Sequence, residues 1–185
     1  MSPLGYLFWH APRPGVATDR YEAACRTWQA ALAEHPPVGF LSATTWRTPV
    51  APWLSGWPPV VYADLYVVAD FADLGALSHA AVTGPLRSPH DGAAHLAGHG
   101  TAGLYRRMSV GDTGSGDADG EVTIAFVDKR TGVGYDETLT QLAAPGRTVW
   151  LRQLTLGPGP ELLVVTQTSS APPPAPSWSA PAIGI

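Results

Sequence analysis

From Leu4 to His10 the chain is a short aromatic run, Leu-Gly-Tyr-Leu-Phe-Trp-His, which reads as a strand. Ala11-Pro-Arg-Pro-Gly15 closes it, because proline cannot continue a sheet. The period then changes. Tyr21, Ala24, Cys25, Trp28, Ala31 and Leu32 recur at three- and four-residue spacing and predict one apolar face of a helix. Thr18 suits the N-cap, Asp19 the positive end of the helix dipole, and Pro36-Pro37 the stop. Val38 to Arg47 predicts a strand, with Gly39 suited to a bulge. Thr48 to Pro59 is too rich in proline for regular structure and reads as a long loop carrying Trp53 and Trp57. Pro59 to Ala69 is the strongest strand pattern, an apolar run around the single charge of Asp64. Asp70 caps a helix through Val82, Ser88-Pro89 starts a shorter one ending near Gly98, and Thr101 to Met108 is a fourth strand.

The same order returns in the second half. Val122–Val127 predicts a strand, Tyr135–Ala143 a helix, and Thr148–Leu156 and Leu162–Thr168 two more strands. Strand–helix–strand–strand is the order of split β-α-β, ferredoxin-like units. The predicted fold class is therefore α+β, with two such units whose antiparallel sheets pack on one another. Residues 1–110 form the first unit, 111–120 a flexible acidic glycine-rich linker, 121–170 a shorter second unit without the last helix and strand, and 171–185 a proline-rich extended tail anchored by Trp178 and Ile183. The space between the sheets is where a small ligand is expected.

Composition narrows the function classes. Hydrophobic residues make up 45% and charged residues 14%, which is globular rather than disordered. The net charge of −4 comes entirely from Asp112, Asp117, Asp119 and Glu121, and the rest of the chain is balanced. There is no basic stripe, so a nucleic-acid partner is not expected. One cysteine, Cys25, allows neither an intrachain disulfide nor a multi-thiolate metal site, and its place between Tyr21 and Trp28 marks it as core. No apolar run reaches the length of a membrane span, and no secretory leader precedes the first strand, so the cytoplasm is the expected compartment. Neither a phosphate-binding glycine loop nor a nucleophile elbow is present.

The first half also resembles a known family. Its aromatic third strand leads into Phe71-Ala-Asp-Leu-Gly-Ala-Leu-Ser-His79, and Ser88-Pro89-His90 follows. This pattern is similar to the dimeric α/β-barrel superfamily, which includes antibiotic-biosynthesis monooxygenases, EthD-like proteins and haem-degrading monooxygenases. The resemblance covers residues 1–110, with a longer gap between Leu77-Ser-His79 and Ser88-Pro-His90 than in those relatives. It implies a sheet-against-sheet barrel, closed within one chain or between two subunits of a homodimer. It also implies that a helix histidine near His79 is the iron ligand in haem-handling members. The superfamily hosts several chemistries, so the fold alone selects none.

Candidate chemistry lies in the histidines and in Asp64. His10 ends a strand beside a turn, a position that opens onto a pocket, and four more histidines fall between residues 79 and 99. His95 and His99 are four apart, but Gly98 and Gly100 signal a helix end there and the ligand count falls short of a zinc site, so no metal is expected. Asp64 and Tyr66 share one face of their strand. Asp64 either lines the barrel interior, as a buried carboxylate of raised pKa, or faces outward and is solvated or paired with Arg47 or Arg106; the outward placement is favoured because an unpaired buried Asp is rare.

These readings converge on a small cofactor-independent enzyme of monooxygenase, cyclase or dehydratase type, acting in secondary metabolism on an apolar aromatic or polyketide-like molecule. His10, Asp64, Tyr66 and His90 are its candidate catalytic residues. Trp9, Trp46, Trp53 and Trp57 are its candidate pocket walls, with the Trp53/Trp57 loop as a lid. Two alternatives stand beside it: a haem-binding or haem-processing protein using His79, and a non-enzymatic small-molecule-binding or interaction module.

Overall fold

The computed structural model describes residues 2–110, 121–156, 159–167, 170, 173–174 and 176–185. The expected linker at 111–120 lies outside the described residues. The elements run β1 (Leu4–Pro12), α1 (Thr18–Glu34), β2 (Phe40–Pro49), β3 (Val60–Val68), α2 (Phe71–Ala81), a 3-10 turn (Gly84–Leu86), α3 (Arg87–Ala94), β4 (Ala97–Val110), β5 (Glu121–Val127), α4 (Tyr135–Leu142), β6 (Arg147–Leu156), β7 (Leu162–Gln167) and β8 (Trp178–Gly184). The fold is α+β. Eight strands form one closed barrel in the order β1-β3-β2-β8-β5-β7-β6-β4, and every neighbouring pair is antiparallel. The barrel closes within a single chain.

An eight-stranded barrel has an interior just wide enough for side chains. Here it is filled. Leu7, Trp9 and Ala11 from β1 point inward, as do Val61, Ala63, Leu65 and Val67 from β3, and they meet Trp46, Phe126 and Trp150. Gly5 leaves room for this packing: a Cβ there would lie 2.8 Å from Trp150 Cζ3. The expectation of a ligand space between the sheets is therefore corrected, since tryptophan and phenylalanine side chains occupy it.

The alternate residues of the same strands face outward onto helices. Leu4, Tyr66, Val68 and Leu104 pack with Trp28 and Leu32 of α1, Leu77 of α2 and Leu86. On the other side of the barrel, α4 lays Leu139 and Leu142 over Ala125, Val149 and Val164. Asp70 caps α2 as the sequence predicts, accepting from the backbone N–H of Ala72 at 2.8 Å and of Asp73 at 3.1 Å. At α1 the N-cap is Ala17, without a side-chain cap, so Thr18 is the first helical residue instead.

Two further expectations are corrected. Trp178 to Gly184 is not a surface tail but strand β8, paired with β5 from Glu121↔Ile183 to Phe126↔Trp178 and with β2 at Trp46↔Gly184. Its alternating pattern was masked by neighbouring prolines, yet Pro181 sits in the strand and Trp178 packs inside on Trp9, Trp53 and Phe126. Gly98 and Gly100 do not end a helix; they belong to β4, where their missing side chains admit Arg13 and Phe8. His95 caps α3 and His99 stands on β4, so the two share no helix face.

Candidate functional site

The chemistry gathers on the outer face of the first sheet, beneath α1, α2 and α3. Strand alternation sends Tyr6, Phe8 and His10 of β1 and Asp64 and Tyr66 of β3 to this face. The register places Phe8 opposite Asp64 and His10 opposite Tyr62. The helices stand off from the sheet here, leaving a cavity of about 430 Å³. Its floor is aromatic: Tyr6 and Phe8 stack at 6.3 Å with planes 7° apart, and Phe8 and His10 at 5.5 Å and 17°. Its roof is small and apolar, with Leu74, Leu77 and Ala81 from α2 and Ala93 from α3. A volume of that size accommodates a drug-sized or smaller ligand, about three times the roughly 150 Å³ that accepts benzene in an apolar cavity.

At one end of the floor lies a buried polar network. His10, Asp64 and Tyr66 are 3%, 5% and 7% exposed, so each polar atom must find a partner inside the protein. Nδ1 of His10 lies 2.6 Å from the hydroxyl of Tyr21. Nε2 of His10 stands 3.1 Å from Oδ1 of Asp64, within ion-pair range but off the axis of a well-formed hydrogen bond. Thr45 donates to Oδ1 at 2.6 Å and Tyr66 to Oδ2 at 2.5 Å. Behind them, Gln29 donates to Thr45 at 2.7 Å and the Trp28 indole to Tyr66 at 2.8 Å.

These contacts set protonation states. Burial alone would push the Asp64 carboxyl up, but the facing His10 and the donors Thr45 and Tyr66 outweigh it, and the net direction is down. Asp64 is thus an acceptor-only anion, which requires Nε2 of His10 to carry hydrogen. In the neutral imidazole Nδ1 is then the acceptor, and Tyr21 donates to it. Burial also drives the Tyr21 and Tyr66 phenols upward, aided by the charge of Asp64, so both stay protonated as donors at neutral pH. The Cys25 thiol, in the cavity wall, is pushed up to about 12 by burial and then by Asp64, which makes it a poor nucleophile.

The structure brings His10, Asp64, Tyr66 and His90 to one cavity. His90 sits at its edge, its ring edge-on to Trp28 at 5.4 Å and Nδ1 3.3 Å from Asp91. Asp64 does face away from the barrel interior, but it is neither solvated nor paired with Arg47 or Arg106, and its pKa is lowered rather than raised. His79 does not join the cavity. It is exposed, and its neighbour Ser78, also exposed, is the one at the cavity rim.

The four tryptophans expected to wall the pocket lie elsewhere. Trp9 and Trp46 belong to the barrel core, and Trp53 packs edge-on to Trp9 and Phe126 at the same core. Trp57 packs against His99, with ring centroids 5.1 Å apart and planes tilted by 34°. The proline-rich loop thus covers the barrel, not the cavity. Sequence reasoning missed Tyr21, Trp28, Gln29 and Thr45. The signal for the first two was present, since a buried tyrosine or tryptophan must find a partner for its polar end.

No family model matches the sequence, and no curated protein matches it. Solved structures do share the fold. A protein from Fusobacterium nucleatum subsp. nucleatum, provisionally named a monooxygenase, superposes with a TM-score of 0.60 at 11% identity, over 89% of this chain and 75% of the other. A protein named provisionally as a chlorite dismutase gives 0.58 at 9% identity, over 100% and 96%. An anthrone oxidase-like protein gives 0.54 at 9% identity, over 100% and 92%. At these identities the likeness is one of fold, the ferredoxin-like α/β barrel that the sequence pattern resembles. No helix among the described residues is long and apolar enough to cross a membrane.

Proposed function

We propose that this protein is a small enzyme that removes a proton from a flat, apolar aromatic molecule held between the sheet and its helices. The observation that carries this reading is the His10–Asp64 pair, buried at the end of an aromatic-floored cavity of about 430 Å³. Such a cavity supplies binding through apolar area, and the pair supplies a base whose conjugate acid is stabilised in place. The ligand's proton passes to the Tyr21 oxygen as the Tyr21 hydrogen moves to Nδ1 of His10. The resulting imidazolium faces the Asp64 carboxylate. Tyr66 keeps its hydrogen and holds Asp64 rather than the ligand.

A cofactor-independent oxygenation fits this arrangement, and the fold neighbours named monooxygenase and anthrone oxidase-like support it. In that chemistry a ring CH₂ that lies across the ring from a carbonyl, and is acidified by it through the flanking aromatic rings, loses a proton, the carbanion reduces dioxygen, and CH₂ plus O₂ gives C=O plus water. The haem alternative receives less support. His79 is exposed and outside the cavity, and none of the cavity-lining residues is an Arg or Lys that would meet haem propionates. We also read the chain as two ferredoxin-like units, because the arcs β4-β1-β3-β2 and β8-β5-β7-β6 have the same strand order, with β8 standing where β4 stands.

The test is aerobic incubation with 1,8-dihydroxyanthrone, following oxygen uptake and the absorbance of the anthraquinone. Wild type is expected to accelerate both, and His10→Ala and Asp64→Asn to lose most of that acceleration. Equal rates with and without wild-type protein would sink the oxygenase reading.

A further inference from the structure

Two parallel hydrogen-bond arms converge on Asp64, and both begin on α1. One runs from the Trp28 indole N–H to the Tyr66 hydroxyl and on to Oδ2. The other runs from the Gln29 amide to the Thr45 hydroxyl and on to Oδ1. Trp28 and Gln29 are consecutive residues, and Tyr66 and Thr45 sit on the adjacent strands β3 and β2, Thr45 directly opposite Asp64 in the register. Each arm therefore has the same grammar: a donor on the helix, a hydroxyl on the sheet, and the carboxylate.

A hydroxyl has one hydrogen. An indole N–H is a donor only, so Tyr66 must spend its acceptor side on Trp28 and its hydrogen on Asp64. The Gln29 NH₂ imposes the same polarity on Thr45. A protonated Asp64 would need an acceptor for its own hydrogen, and because Tyr66 and Thr45 present hydrogens to its two oxygens, that hydrogen would have only Nε2 of His10 to go to. Resting on the reading of His10 as proton carrier, we infer that Trp28 and Gln29 are positioning residues that fix both hydroxyl directions, so that Asp64 is held as an anion at neutral pH and His10 is left as the group that moves the proton. The other titratable groups around Asp64 are Tyr66 on its own strand and Tyr21 and Cys25 from α1, all three kept protonated by burial.

The experiment reads Asp64 directly and needs no substrate, so its failure is distinct from failure of the oxygenation assay. The ¹³Cγ resonance of Asp64, identified by its loss in Asp64→Asn, is titrated in wild type, in Trp28→Phe/Gln29→Leu, and in Thr45→Val. The double variant removes both helix donors, keeps an apolar ring at position 28 and keeps both hydroxyls, and its protonation midpoint is expected to rise by about one pH unit, a tenfold change in proton affinity. Thr45→Val, which removes a direct donor, is expected to rise at least as far. A rise of less than about 0.3 unit in the double variant would overturn the inference and leave Trp28 and Gln29 as packing residues. Gln29 is half-buried on the helix. If the double variant does not fold, Gln29→Leu alone decides, with a rise of about half a unit expected and no rise overturning the inference.

Discussion

The hydroxyl of Tyr21 on α1 closes the far nitrogen of His10 on β1 at 2.6 Å, so the imidazole is held between a phenol on one side and the Asp64 carboxylate on the other. Tyr21 is 1% exposed, so its hydroxyl meets His10 inside the protein. Tyr21→Phe leaves Nδ1 buried without a partner and is expected to cost about 1–3 kcal/mol. Urea unfolding at neutral pH measures that loss, and a variant as stable as wild type would refute the arrangement.

Asp64→Asn removes the charge that three side chains face, and breaking a buried pair of this kind costs about 3–5 kcal/mol. The loss has a pH signature. The folded carboxyl lies below its unfolded value of about 3.9, so its contribution is fully present above that value and disappears as pH falls through the folded one. The stability gap between wild type and variant should therefore be constant above about pH 5 and narrow below about pH 4. Paired unfolding curves across that range decide it; a gap that widens toward acid contradicts the assigned direction.

Ala93 forms part of the cavity roof and is half-buried. Ala93→Trp fills the space without touching the polar network. It should weaken binding of 1,8-dihydroxyanthrone more than tenfold while changing stability by less than about 1 kcal/mol. Isothermal titration and a thermal melt on the same sample separate the two effects.

Gly5 stands against Trp150 and Leu65 in the barrel interior, where an added Cβ would lie 2.8 Å and 2.9 Å from their side-chain carbons. Gly5→Ala overpacks that layer and is expected to cost about 1–3 kcal/mol. Calorimetry tests it, and a melting temperature at or above that of wild type would show that the interior yields.

Local pattern made much of this molecule legible. The helix period through Tyr21, Cys25 and Trp28 placed α1, the pair Pro36-Pro37 ended it, and Asp70 marked the start of α2. Period two placed Asp64 and Tyr66 on one face. What local pattern does not carry is which face looks where. Both sides of β3 are buried, one by the barrel and one by helices, so hydrophobicity does not distinguish them. That ambiguity sent the expected pocket into the barrel and assigned Trp9 and Trp46 to its walls. The partner of Asp64 was hidden for a related reason: His10 and Asp64 meet only through the β1–β3 pairing, a contact with no local signature. Strand β8 escaped because Pro174, Pro176 and Pro181 argue against a strand, and only its place between β2 and β5 resolves the argument.

Closure by β8 has a thermodynamic corollary. When two chains complete a barrel, the seam is a binding equilibrium, and the midpoint of unfolding climbs with protein concentration by mass action. Here the seam joins residues of one polypeptide, Arg47 to Ile183 and Phe126 to Trp178. The barrel's integrity is thus set by loop-closure entropy rather than by how many copies surround it. Dilution leaves the cavity's floor intact, and His10 and Asp64 stay in register at any concentration at which the chain is folded.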